Sequence, residues 1–63
     1  MIKLTKLNGQ DIFINPDLIG NMECNPHTVL HMTSGETIVV KETSDQVVDK
    51  IVEYKRRIFR ENT

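Results

Sequence analysis

Apolar positions fall into two patterns along the chain. Up to Lys41 they come in short runs broken by Asn, Gly, Pro and Ser; from Thr43 onward they recur at helical spacing. Residues 1–7 run into Asn8-Gly9, a pair that accepts the positive φ angles of a two-residue type I′ turn. Such a turn pairs Leu7 with Gln10, Lys6 with Asp11 and Leu4 with Phe13, joining opposite charges near the tip and apolar residues farther down. Ile12-Phe13-Ile14 is apolar at every position, so this second strand is expected to be covered on both faces. Asn15-Pro16-Asp17 breaks it. Residues 18–24 read as a third strand, with a bulge expected at Gly20-Asn21. Asn25-Pro26-His27 turns the chain again, and residues 28–33 and 36–41 flank Ser34-Gly35 as a second two-residue hairpin. Its implied partners are Met32 with Thr37, His31 with Ile38, Leu30 with Val39 and Val29 with Val40, which leaves both faces largely apolar.

The last third is the clearest element. Thr43 with Gln46 three residues on fits a capping box, and Asp45 lies in the first turn, where the helix dipole favours an acid. Val47, Val48, Ile51, Val52, Tyr54, Ile58 and Phe59 form a broad apolar stripe. Glu53 and Arg57 stand four residues apart for a favourable pair, and Lys55, Arg56, Arg57 and Arg60 suit the carboxyl end of the dipole. The pattern predicts an α+β fold in a single domain over 1–63. An antiparallel β-meander of four to five short strands occupies 1–41, and one C-terminal amphipathic helix occupies 43–61.

The stripe is wider than one small sheet can cover. Val47, Ile51, Tyr54 and Ile58 can face one partner, while Val48, Val52 and Phe59 lean toward another. A chain of 63 residues buries only about 60% of its unfolded surface and needs added support. A single cysteine, Cys24, rules out an internal disulfide, so self-association into a homo-oligomer is the expected route. Eight basic and nine acidic residues give a formal net charge of -1, which disfavours a whole-domain grip on nucleic acid. Neither a signal peptide nor an apolar run long enough to span a membrane stands out, so the expected location is cytoplasmic.

Candidate chemistry is sparse. Cys24, His27 and His31 are the only soft ligands, too few for a closed zinc site, so neither a metal nor a cofactor is expected. Cys24 has His27 close in sequence, but nothing else completes the arrangement that a nucleophile needs, and it reads as a small packed residue. Asn8-Gly9 and Ser34-Gly35 are isolated turns rather than phosphate loops, and no catalytic residue is assigned. The cluster from Lys55 to Arg60, interleaved with Ile58 and Phe59, suits RNA, an anionic membrane face or an acidic protein surface, or simply a solvated helix end, which the nearby Glu53 and Glu61 slightly favour.

The run Leu4-Thr5-Lys6-Leu7-Asn8-Gly9 resembles the opening of the FlbD/SwrD family of small flagellar proteins. So do Asn15-Pro16-Asp17-Leu18-Ile19, Pro26 with Thr28, Thr33-Ser34-Gly35, Val40-Lys41-Glu42 and Ile51-Val52-Glu53-Tyr54-Lys55-Arg56. The resemblance reaches to about Ile58, and its specificity lies in the order and spacing of the pieces. It implies a small cytoplasmic, non-enzymatic accessory protein of the bacterial flagellum, working at the cytoplasmic face of the motor. There it would support motor (stator) power for swarming through contact with a motor or assembly protein, peripheral to a membrane complex. Under this reading Asn8, Gly9, Asn15, Lys55, Arg56, Arg57 and Phe59 are the candidate interaction positions. Asn8, Gly9 and Asn15 also have an ordinary explanation as turn formers.

A second reading comes from another class. The plan of about five strands and one helix is similar to that of the CsrA-type translational regulators, dimers that bind RNA. Lys3 and Lys6 stand apart here where such a protein would carry a basic pair, and the net charge also disfavours that reading.

Overall fold

A computed structural model describes residues 1–61. Five strands precede one helix: β1 (Ile2–Thr5), β2 (Asp11–Ile14), β3 (Ile19–Glu23), β4 (Thr28–Met32), β5 (Thr37–Val40) and α1 (Ser44–Glu61), with a 3₁₀ turn at Pro16–Leu18. β1 and β2 form one antiparallel pair, and β3-β4-β5 form a separate antiparallel meander. This is the expected α+β plan, with the strands divided between two sheets.

Both hairpin registers differ from expectation by one residue. In the first, Ile2 faces Ile14, Lys3 faces Phe13, Leu4 faces Ile12 and Thr5 faces Asp11. The loop is three residues long, Leu7-Asn8-Gly9. The Gly9 amide donates to the Lys6 carbonyl at 2.9 Å, and the Lys6 amide donates to the Gln10 carbonyl at 2.8 Å. Only Gly9 has positive φ, at 92°, whereas a type I′ turn would demand it of Asn8 as well. The Asn8 side chain instead accepts from the Gln10 amide at 2.9 Å, which holds the turn without strain. Asp11 therefore does not face Lys6; it meets Lys3 diagonally at 3.5 Å.

The second hairpin repeats this solution. Its loop is Thr33-Ser34-Gly35, with Gly35 at φ 96°, the Gly35 amide on the Met32 carbonyl and the Met32 amide on the Glu36 carbonyl. Leu30 pairs with Ile38, Val29 with Val39, Thr28 with Val40 and His31 with Thr37. Ser34, like Asn8, keeps negative φ. A slip of one residue exchanges the faces of a strand, so Ile38 and Val40 turn inward in place of Val39.

The core is one cluster fed by both sheets and the helix: Ile2, Leu4, Ile14, Leu30, Ile38, Val40 and Val47. Leu4, Leu30, Val40 and Val47 are fully buried. The expected double cover of β2 is absent within the chain, because Phe13 points away from this core and is 64% exposed. The bulge in β3 is present where expected, with the register shifting between Ile19 and Asn21. A methyl group on Gly20 would lie 3.1 Å from the His31 carbonyl, which is why a residue without a side chain suits that position.

The helix begins as its sequence dictates. The Thr43 amide donates to Gln46 Oε1 at 2.9 Å, and the Gln46 amide donates to Thr43 Oγ1 at 3.2 Å, completing the capping box. Val47 is fully buried, Ile51 and Tyr54 are half-buried, and Val48, Val52, Ile58 and Phe59 are exposed.

Because Gly9 and Gly35 alone carry the left-handed backbone of these loops, Gly9→Ala and Gly35→Ala should each lower stability by about 1–2 kcal/mol. Urea unfolding of each variant measures this. An unchanged midpoint would contradict the loop assignment.

Candidate functional site

The residues expected to act as contacts are not gathered into one place. Asn8 and Gly9 form the tip of the β1–β2 hairpin, and the Asn8 amide is occupied by Gln10 through both its oxygen and its nitrogen. Asn15 sits ahead of the 3₁₀ turn and accepts from the Asp17 amide at 3.0 Å. These side chains therefore have defined local work in shaping turns.

Lys55, Arg56 and Arg57 are consecutive on α1, so the 100° step of a helix fans them in three directions. Lys55 reaches across to Asp17 at 3.0 Å and ties the helix to the 3₁₀ turn. Arg56 lies 3.9 Å from Glu53, one turn back. Arg57 projects over the gap between α1 and β1. Phe59 is 72% exposed, on the helical face shared with Val48 and Val52. The expected part for Arg60 lies outside the described side chains.

A basic cluster in sequence is thus not a basic patch in space. Two of its three described members have acidic neighbours, as does Lys3 with Asp11. Exposed pairs of this kind contribute little stability, about 0–1 kcal/mol, but they mute the local positive potential.

Two open clefts flank the start of β1 and its end. One, of about 420 Å³, lies between β1 and the distal half of α1. Ile2, Tyr54 and Ile58 line it with apolar surface, and Lys3, Lys50 and Arg57 add positive charge, with Glu53 among them. Lys50, Glu53, Tyr54, Arg57 and Ile58 share one helical face, spaced three or four residues apart. That spacing was readable in the sequence, but only the position of β1 makes it one wall of a cleft.

The other cleft, of about 470 Å³, is lined by Thr5, Lys41, Glu42, Gln46, Asp49 and Lys50. At its base Glu42 accepts from the Thr5 amide through Oε1 and from the Thr5 hydroxyl through Oε2, both at 2.9 Å. Burial pushes the Glu42 carboxyl up. The Thr5 amide, the Glu42 amide, the Thr5 hydroxyl and the charge of Lys50 together outweigh that and hold it below its ordinary value.

Soft side chains remain scattered. Cys24 is an exposed free thiol, and His31 Nε2 lies 3.1 Å from Glu23. Among the described residues no group of three or more His, Cys, Asp or Glu is placed to hold a metal ion, and no helix is long and apolar enough to cross a membrane.

The arrangement defines a class: a small α+β domain of two antiparallel sheets and one amphipathic helix, whose distinctive side chains lie on open surface and in shallow clefts. Residues 1–59 match the family model described as FlbD, flagellar and swarming motility proteins. The chain belongs to this family, and its function accordingly lies in flagellar and swarming motility. Comparison with curated proteins and with solved structures gave no match to either.

The carboxylate of Glu42 predicts a pH dependence. A depressed folded-state pKa contributes stability that is present above the ordinary carboxylate value and is lost as pH falls through the folded one. Glu42→Gln should be less stable than the parent at neutral pH, and the two should converge as the pH falls below the ordinary carboxylate range. Urea unfolding across that range checks it. A gap that stays constant into acid would show that charge at Glu42 does not hold this junction.

Proposed function

We propose that this protein is a non-enzymatic accessory component of the bacterial flagellum that acts by protein–protein contact. In this reading it works as a homo-oligomer at the cytoplasmic face of the motor, where contact with a motor or assembly protein supports stator power for swarming. The observation that carries the reading is the uncovered apolar surface of a very small domain. Among the described residues seven hydrophobic side chains make the buried core, while eight large ones are exposed, Phe59, Phe13 and Met1 by 64% or more.

The exposed apolar residues of the helix are ordered. At 100° per residue Val48, Val52 and Phe59 fall within about 40° of one another, and roughly 60° or more from Val47, Ile51 and Tyr54, which face the sheets. A second apolar face alongside the first is the mark of a helix with two packing partners, of which one is the chain's own core. A second copy fits the other face, because a domain of this size has little stability to spare alone and pairing like faces buries both.

Light scattering after size exclusion tests the self-association. The parent should run at a multiple of 7.3 kDa, and Val48→Asp/Val52→Asp should shift it toward the single-chain mass. A parent that runs as a clean monomer would remove this part of the proposal.

The functional part is tested in a flagellated host whose own copy has been deleted. Arg56→Glu/Arg57→Glu should restore swarming poorly while leaving the circular dichroism spectrum and thermal midpoint near those of the parent, since both side chains are exposed. Full swarming at parental protein levels would exclude the basic end of α1 from function.

A further inference from the structure

We infer that the cleft between β1 and α1 receives an extended segment of a partner protein, in which acidic residues alternate with aliphatic ones and which adds as a strand to the free edge of β1. The inference rests on the reading that this chain acts by contact. It goes further by naming the site and the chemistry of what enters it.

The backbone supplies the first argument. Lys6 and Gln10 form a hydrogen-bonded pair across the first hairpin, so Leu4 and Ile2 also direct their amides and carbonyls toward β2. Thr5 and Lys3, the alternate residues, direct theirs to the other edge. Thr5 is satisfied there: its carbonyl accepts from the Lys41 amide at 2.8 Å and its amide donates to Glu42 Oε1. Two residues earlier on the same edge, Lys3 has no backbone partner on that side among the described residues. An edge of this kind is a template for an added strand, and here it opens into the cleft that Ile2 and Lys3 line.

The side chains supply the second. Met1, Tyr54 and Ile58 offer apolar surface for every other residue of an extended segment. Lys50 and Arg57 stand one above the other on the helical wall, seven residues apart, and neither has an ion pair among the described residues. Lys3 is engaged with Asp11, Glu53 lies near Arg56 and the charge of Lys50 also acts on Glu42, so Arg57 is the cation left wholly to the occupant, with Lys50 shared. The chain itself already shows a carboxylate meeting this edge, in Glu42 on the Thr5 amide. Acid at alternate positions satisfies Lys50 and Arg57 while the aliphatic positions turn inward.

The test is selection of binders from a random-peptide display library on the intact protein, followed by titration of the enriched sequence as a synthetic peptide. The enriched sequences should alternate acidic and aliphatic residues. Arg57→Glu should weaken the peptide by about tenfold or more, and Lys6→Gln, off the cleft, should leave it unchanged. Bound peptide should slow hydrogen exchange at the Lys3 amide, and methylating single peptide nitrogens should abolish binding at the one that faces the Lys3 carbonyl. A simple apolar groove would give neither signature. Three outcomes would overturn the inference: enriched peptides without acidic character, binding indifferent to Arg57→Glu, or affinity only for phosphatidylglycerol vesicles. These leave the flagellar reading standing, whereas undiminished swarming by the deletion host would remove that reading and leave the peptide measurements valid.

Discussion

The fold depends on the crossing of β1 and β5 at Thr5. Two sheets of two and three strands are held to each other there by an antiparallel bridge, Lys6 with Val40, and by three hydrogen bonds at Thr5, which accepts one from the Lys41 amide and donates two to Glu42. These residues are some 37 positions apart in the chain, so the contact closes the whole strand region on itself. It is also where the sheet ends and the helix begins. Thr43 caps α1 directly after Glu42, so the grip of Glu42 on Thr5 sets the point from which the helix runs back along β1.

Much else follows from that placement. Leu4 and Val40 are buried beside the junction, and Val47, one turn into the helix, completes the same cluster. The helix spans eighteen residues, roughly 27 Å, longer than the short strands it crosses, so its distal half outruns the core. Its exposed Val48, Val52 and Phe59 on one side and its cleft-lining Lys50, Tyr54 and Arg57 on the other are both consequences of one long helix on two small sheets. A domain that cannot bury its own apolar surface is suited to function by association.

The two hairpins show how local and global preferences were resolved. Asn8-Gly9 and Ser34-Gly35 each admit a two-residue turn on paper, yet both became three-residue loops with only the glycine at positive φ. Ser34 carried the warning, because serine has no liking for the left-handed region that a type I′ turn requires of it. Asn8 could take that conformation but gains more from bonding the Gln10 amide. The longer loops move the register so that Ile2, Leu4 and Ile14, and likewise Leu30, Ile38 and Val40, meet inside. Burial chose between two turns of similar local merit.

From its sequence alone the protein determined its element types, the helix start at Thr43 with its reciprocal bonds to Gln46, the β3 bulge at Gly20 and the presence of two apolar faces on α1. Each of these follows from neighbours a few residues apart, where propensity and hydrogen bonding act directly. The tertiary structure alone decided the strand registers, the split into two sheets, the engagement of Lys55 by Asp17 and the cleft that joins Arg57 to the edge of β1. Those features bring together residues from opposite ends of the chain, and which of them meet is set by how the whole core packs.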